Sequence, residues 1–189
     1  MSRLDFRDRR IRGVPVLAGA INGVLTYVTG LVVLLLLYGG NHRVASLAFR
    51  SLWDVHVPYF TAVGFVHFGG HFVPVRASNG TTLNFALSVG GGNVRYVLLV
   101  VGLLVAGGWY LGSADWATDA GAGFRAGASL VVGYLPLVVW GAVTFVVRAS
   151  PSGGDAFVLQ VPFARAVLLA GVVFPVVFGG GGGVLAAET

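Results

Sequence analysis

The chain has 189 residues, enough for one domain, and only 10% are charged against 56% hydrophobic, with a mean hydropathy of +0.85. A soluble domain carries about 25% charged residues, so this composition excludes an ordinary water-facing surface and expects a lipid bilayer as partner. The net charge of +5 comes from arginine, and the absence of lysine and cysteine excludes Schiff-base chemistry, a Walker-A phosphate site, disulfides, thiolate nucleophiles and Cys-ligated metals.

The basic N-terminus, 1–13, sets Arg3, Arg7, Arg9, Arg10 and Arg12 against Asp5 and Asp8. An apolar run, 14–38, follows. Its 25 residues make a helix of about 37 Å, enough to span. A signal peptide needs an apolar stretch of only about 7–15 residues, so this is a retained first span with its basic end in the cytoplasm. Gly19, Gly23, Thr26 and Gly30 give it a face of small residues beside Asn22. Such a face lets helix backbones approach closely, either within the chain or at an oligomer seam, and Asn22 is expected to hydrogen-bond across that interface.

Residues 41–56 read as an interfacial amphipathic helix, with Val44, Leu47, Leu52 and Val55 near helical spacing and Arg50 and Asp54 as an i,i+4 pair. The next run, Pro58–Val75, is apolar but holds His67 and His71 with Gly64, Gly69 and Gly70. It is read as the second span. In the loop 76–94, Asn79-Gly80 signals a two-residue turn. Leu83, Phe85, Leu87 and Val89 then alternate with the strand period.

Three more spans are expected over Arg95–Leu111, Phe124–Val147 and Val161–Phe178. Gly123 and Gly127 form another small-residue face, and Pro136, Pro175, Gly179 and Gly180 are expected helix breaks. Between the last two spans, Phe157, Leu159 and Val161 alternate as a second strand. With the N-terminus inside, five spans leave Arg76, Arg95, Arg148 and Arg165 inside and Asp115 and Asp119 outside, as the positive-inside rule prefers. The C-terminus is then extracellular. The sequon Asn79-Gly80-Thr81 falls inside and is silent.

A repeat supports the same count. Val75-Arg76-Ala77-Ser78 recurs 72 positions later as Val147-Arg148-Ala149-Ser150, with Phe85, Leu87 and Val89 matched by Phe157, Leu159 and Val161. The expected fold is therefore an all-α integral membrane protein of one domain, 1–189. It has one transmembrane helix plus two parallel helical-hairpin repeats (58–147 holding the second to fourth spans, 148–189 the second repeat loop and fifth span). Short β-hairpins at the cytoplasmic boundary, pairing into one small sheet, complete it.

His67 and His71 share a helical face and are the ionisable pair expected within a span; with Asn22 they are the candidates for a substrate or proton path. Neutral, hydrogen-bonded packing and a metal or haem site are the competing readings. No third ligand stands obviously beside them, so no metal and no cofactor are assigned. No nucleophile motif is present, so no catalytic residue is named and the chain is not read as an enzyme. Arginines at the ends of apolar runs anchor helices and give no argument for nucleic acid.

The runs FTAVGFVHFGGHFV (60–73), VVGYLPLVVWGAV (131–143) and AVLLAGVVFPVVFGG (166–180) resemble a group of uncharacterised small multi-pass membrane proteins of halophilic archaea. The resemblance covers most of the chain and implies an archaeal plasma membrane, without carrying over any functional residue. Two functions remain open: a small channel- or transporter-like oligomer, and a non-catalytic accessory or scaffold subunit of a larger membrane complex.

Overall fold

The computed structural model describes residues 10–11, 14–39, 55–88, 94–114, 117–149 and 157–189. The expected interfacial helix, 41–56, lies outside the described residues except for Val55 and His56, which are not helical. A short antiparallel pair, β1 (Arg10–Ile11) and β2 (Val14–Pro15), leads into α1 (Val16–Gly39). The chain continues through α2 (Tyr59–Gly70), β3 (Val75–Ala77), β4 (Thr82–Leu83), α3 (Phe85–Ser88), α4 (Arg95–Ala114), α5 (Ala120–Ala128) and α6 (Val131–Thr144). It ends with β5 (Val146–Ala149), β6 (Phe157–Gln160) and the 25-residue helix α7 (Phe163–Ala187).

Among the described residues, four helices are long and apolar enough to cross a membrane: Val16–Leu37, Arg95–Ala114, Ala120–Thr144 and Phe163–Ala187. The expected span Pro58–Val75 is not among them. Its helix has 12 residues and rises about 18 Å, short of the roughly 30 Å hydrocarbon core. The stop is specific. Val73 N–H donates to the Phe68 carbonyl and Phe72 N–H to the Gly69 carbonyl, both at 3.0 Å, with Phe72 at φ +59°. This is the Schellman closure, with a phenylalanine in the left-handed position that glycine usually fills.

The expected helix breaks do not break helices. Pro136 lies within α6, and α7 runs on through Pro175 and the glycines after it. Around Pro175 the winding is π, over Ala166–Val173 and Pro175–Gly179. A proline lacks its N–H and crowds the carbonyl four residues back. The wider π turn relieves that crowding without ending the helix.

The chain divides into two compact units, to which the four long helices each contribute a stretch. The first comprises 1–28, 101–137 and 171–189. Its helices meet through glycine. A Cβ at Gly108 or Gly127 would collide with the Gly179 carbonyl, and one at Gly123 with the Gly183 carbonyl. One at Gly112 would lie 2.8 Å from the carbonyl oxygen of Gly183. Gly108 and Gly112 meet Gly179 and Gly183 in the same order, and Gly127 and Gly123 meet them in the reverse order. Three small-xxx-small motifs thus converge, with α4 parallel and α5 antiparallel to α7. Gly19 and Gly23 sit against Ser129, Leu130, Gly133 and Tyr134, and Tyr27 meets Tyr134 edge to face at 5.1 Å.

The second unit, 29–100 and 138–170, holds α2 and a four-stranded sheet of order β4-β3-β6-β5. The small sheet expected from the two loops is present. Strands β3 and β5, the two Val-Arg-Ala copies, flank β6 on either side and run antiparallel to it. The turn after β3 has three residues rather than two: Ala77 N–H donates to the Thr81 carbonyl at 2.8 Å, and Gly80 takes φ +86°. The strand expected over 83–89 stops at Leu83, and α3 follows. Asn84 diverts the chain, since its Oδ1 accepts from Ala86 N–H at 3.0 Å and starts a turn.

Candidate functional site

The sequence candidates fall in different places. Asn22 Nδ2 donates to the Ala18 carbonyl one turn back in its own helix, at 2.9 Å. Gly19, Gly23, Gly123 and Gly127 are buried helix contacts within the chain, as are Gly179 and Gly180, and Gly30 is buried as well.

His67 and His71 do come together. Their ring centroids lie 4.9 Å apart at 66°, with exposures of 1% and 0%. The pair sits on the last turn and cap of α2, whose residues 62–70 are all buried. His71 Nδ1 lies 2.8 Å from the His67 carbonyl oxygen. A carbonyl only accepts, so Nδ1 carries the proton and donates. His67 also meets the edge of Phe68 at 6.2 Å.

Aromatic packing locks this helix in place. Phe145 lies against Gly64, with its ring 5.4 Å from Phe60, 6.2 Å from Phe68 and 6.1 Å from Trp140. Phe65 stacks on Phe85 at 6.0 Å. Tyr59 Oη donates to the Leu35 carbonyl of α1. Asn84 Nδ2 donates to the Gly69 carbonyl at 3.2 Å, bracing the turn that carries His71. A Cβ at Gly70 would lie 2.9 Å from Val100 and 3.1 Å from the Tyr96 carbonyl oxygen.

Chemically, two buried imidazoles can accept and donate protons or begin a ligand set. Among the described residues, no three His, Cys, Asp or Glu side chains are grouped to hold a metal ion. Two imidazoles by themselves do not complete a metal's coordination shell.

A family model matches residues 5–189. The chain belongs to DUF7978, a family of unknown function. The match spans nearly the whole chain and covers both units. No curated protein and no solved structure matches the chain.

Sequence reasoning missed Asn84 and Phe145 as supports of the histidine turn, and Gly108, Gly112 and Gly183 as seam residues. Gly108–Gly112 has the small-xxx-small spacing already noted for Gly123–Gly127, so that signal was available. The contacts by which Asn84 and Phe145 support that turn carry no local signal, because their partners there are distant in sequence.

Proposed function

We propose that the chain is a four-span, non-catalytic membrane protein acting as a scaffold or accessory subunit of a larger membrane complex, in the archaeal plasma membrane implied by the sequence resemblance. The observation that carries this reading is the glycine seam of the first unit. Gly108, Gly112, Gly123 and Gly127 close directly on the backbone of Gly179 and Gly183, in the stretch where helix breaks were expected. The histidine pair gives further support, since it lies on α2, outside all four candidate spans. Along α1, Ile21, Leu25, Val28, Val32 and Leu36 leave an exposed apolar stripe for lipid or a partner helix.

Four crossings put both termini on one side. The twelve arginines then divide evenly: Arg3, Arg7, Arg9, Arg10, Arg12 and Arg125 on the terminal side, and Arg43, Arg50, Arg76, Arg95, Arg148 and Arg165 on the other. The arginine bias that favoured five spans disappears. Reporter fusions at each end test the count: same-side signals are expected, and opposite sides would restore the fifth crossing.

One observation favours the transporter-like oligomer, namely the long π winding of α7, because π turns concentrate at functional sites. Two measurements separate the readings. In proteoliposomes the scaffold shows no ion flux above protein-free vesicles, and substituting His67 or His71 lowers thermal stability only. Photo-crosslinkers at Leu25 and Leu36 yield adducts with a distinct polypeptide. Flux that vanishes in the His71→Ala variant, with crosslinks only to a second copy, would overturn the scaffold.

A further inference from the structure

The two units differ in charge. Among its described residues the first holds Asp119 and Glu188 with Arg10 and Arg125; Arg3, Arg7, Arg9, Arg12, Asp5, Asp8 and Asp115 lie outside them. The second holds Arg76, Arg95, Arg148 and Arg165, all exposed, and no Asp or Glu among its described residues; Asp54 and Asp155 lie outside them.

The sheet sorts two of these arginines onto one face. Arg76 pairs with Gln160 and Arg148 with Val158, two residues apart on β6, so both side chains leave the same side of the sheet. Val75, Ala77, Val147 and Leu159 fill the opposite, buried side. At a strand spacing of about 4.8 Å and a rise of about 3.4 Å per residue, the two arginine backbones stand roughly 12 Å apart. That separation suits two phosphates rather than one.

The sheet also hangs directly from helix ends. Only Phe145 separates α6 from β5, and only Val161 and Pro162 separate β6 from α7. Trp140 and Phe163, at those ends, are both half exposed, the usual aromatic signature of a headgroup boundary. Arg95 opens α4 and Arg165 lies in the first turn of α7, where helix dipoles favour anions and a cation alone is disfavoured.

We propose that the outer face of this sheet docks on the phosphate headgroups of acidic lipids, with Arg76 and Arg148 as the contacting groups. Resting on the membrane reading above, this names the lipid class and the residues that meet it. Guanidinium pairs with phosphate through parallel N–H donors, and β6 holds the two arginines in fixed register.

The test titrates phosphatidylglycerol into the full chain in neutral detergent, with phosphatidylcholine and acyl-free glycerol phosphate as competitors. Phosphatidylglycerol is expected to bind in preference to both, and salt near 1 M to release it. Each arginine near a membrane surface is worth about fivefold in affinity, so Arg76→Gln with Arg148→Gln weakens binding ~25-fold. The paired Arg→Lys variants keep the charge without the parallel donors and recover only part of it, and Arg125→Gln changes nothing. Equal binding by wild type and the double Gln variant overturns the proposal. So does equal retention of phosphatidylcholine, or glycerol phosphate binding as tightly as the lipid. Where the Gln variant fails to fold, wild-type binding that ignores salt is decisive against it. The membrane reading fails separately, if alkaline carbonate strips the chain from phosphatidylcholine vesicles.

Discussion

The two units of the chain are held by opposite means. In the first, helices meet at bare backbone, and the essential feature is an absent side chain at Gly108, Gly123, Gly127, Gly179 and Gly183. In the second, four phenylalanines, Phe65, Phe68, Phe85 and Phe145, are fully buried around a short helix and a small sheet. On the membrane reading this contrast has a cause. Lipid tails are as apolar as leucine, so a large side chain gains little by leaving them, and close backbone approach supplies the attraction instead. A segment reaching the aqueous boundary gains from burying aromatic area in the ordinary way.

The contrast predicts opposite sensitivities. The largest effect belongs to Phe145→Ala, which removes the ring seated on Gly64 and facing Phe60, Phe68 and Trp140. A loss of about 4 kcal/mol is expected, read by thermal or denaturant unfolding in detergent. A loss under about 1 kcal/mol would mean that aromatic burial does not hold the second unit.

Next comes Gly183→Ala, a gain of one methyl group. The added Cβ meets the Gly123 carbonyl and lies 3.0 Å from the Gly127 nitrogen, so helices must separate. The expected cost is about 3 kcal/mol. Its control is Gly181→Ala, two residues earlier on the same helix, where a Cβ meets nothing within 4 Å. There alanine changes stability by less than ~1 kcal/mol, in the stabilising direction. Equal responses at 181 and 183 would show that the seam does not govern packing.

These two sites also show what could be read in the sequence. Hydropathy alone located four of the long helices, because about 20 consecutive apolar residues have few alternatives to a helix. The small-residue faces at 19–23 and 123–127 were legible as packing signals, although their partners were not. The fifth span misled because Pro58–Val75 is as apolar as a span, while its length is set by a left-handed Phe72 that no residue pattern announces. The five glycines after Phe178 read as a break by propensity. They are helical because neighbours approach them closely, a tertiary effect outweighing local preference. The histidine pair was legible as a pair from its spacing. Its place outside the spans was not, since that follows from where α2 stops.

A smaller effect tests how α2 is fastened. Asn84 both starts the turn of α3 and donates to the Gly69 carbonyl. Asn84→Ala loses both bonds and is expected to cost about 2 kcal/mol. Asn84→Asp keeps the acceptor for Ala86 N–H but loses the donor to Gly69, so it recovers only part of that cost. The readout is hydrogen exchange at residues 84–88 and 69–73. Loosening confined to 84–88 in Asn84→Ala would show that the Gly69 contact does not hold the histidine turn.

The smallest effect on α2 is that of Phe72→Gly, which, like Gly181→Ala, is expected to stabilise through backbone conformation. At φ +59° an L side chain crowds the following carbonyl, at a cost of roughly 1–2 kcal/mol that glycine avoids. The Phe72 side chain is 49% exposed, so its removal sacrifices little packing. Glycine loses more chain entropy on folding, which offsets part of the gain. The net expectation is stabilisation of about 0.5–1 kcal/mol. If Phe72→Gly instead destabilises the chain in vesicles but not in detergent, the exposed ring is anchoring the second unit to lipid. The strained position would then be retained for that contact rather than for the fold, setting the headgroup boundary beside the histidine turn.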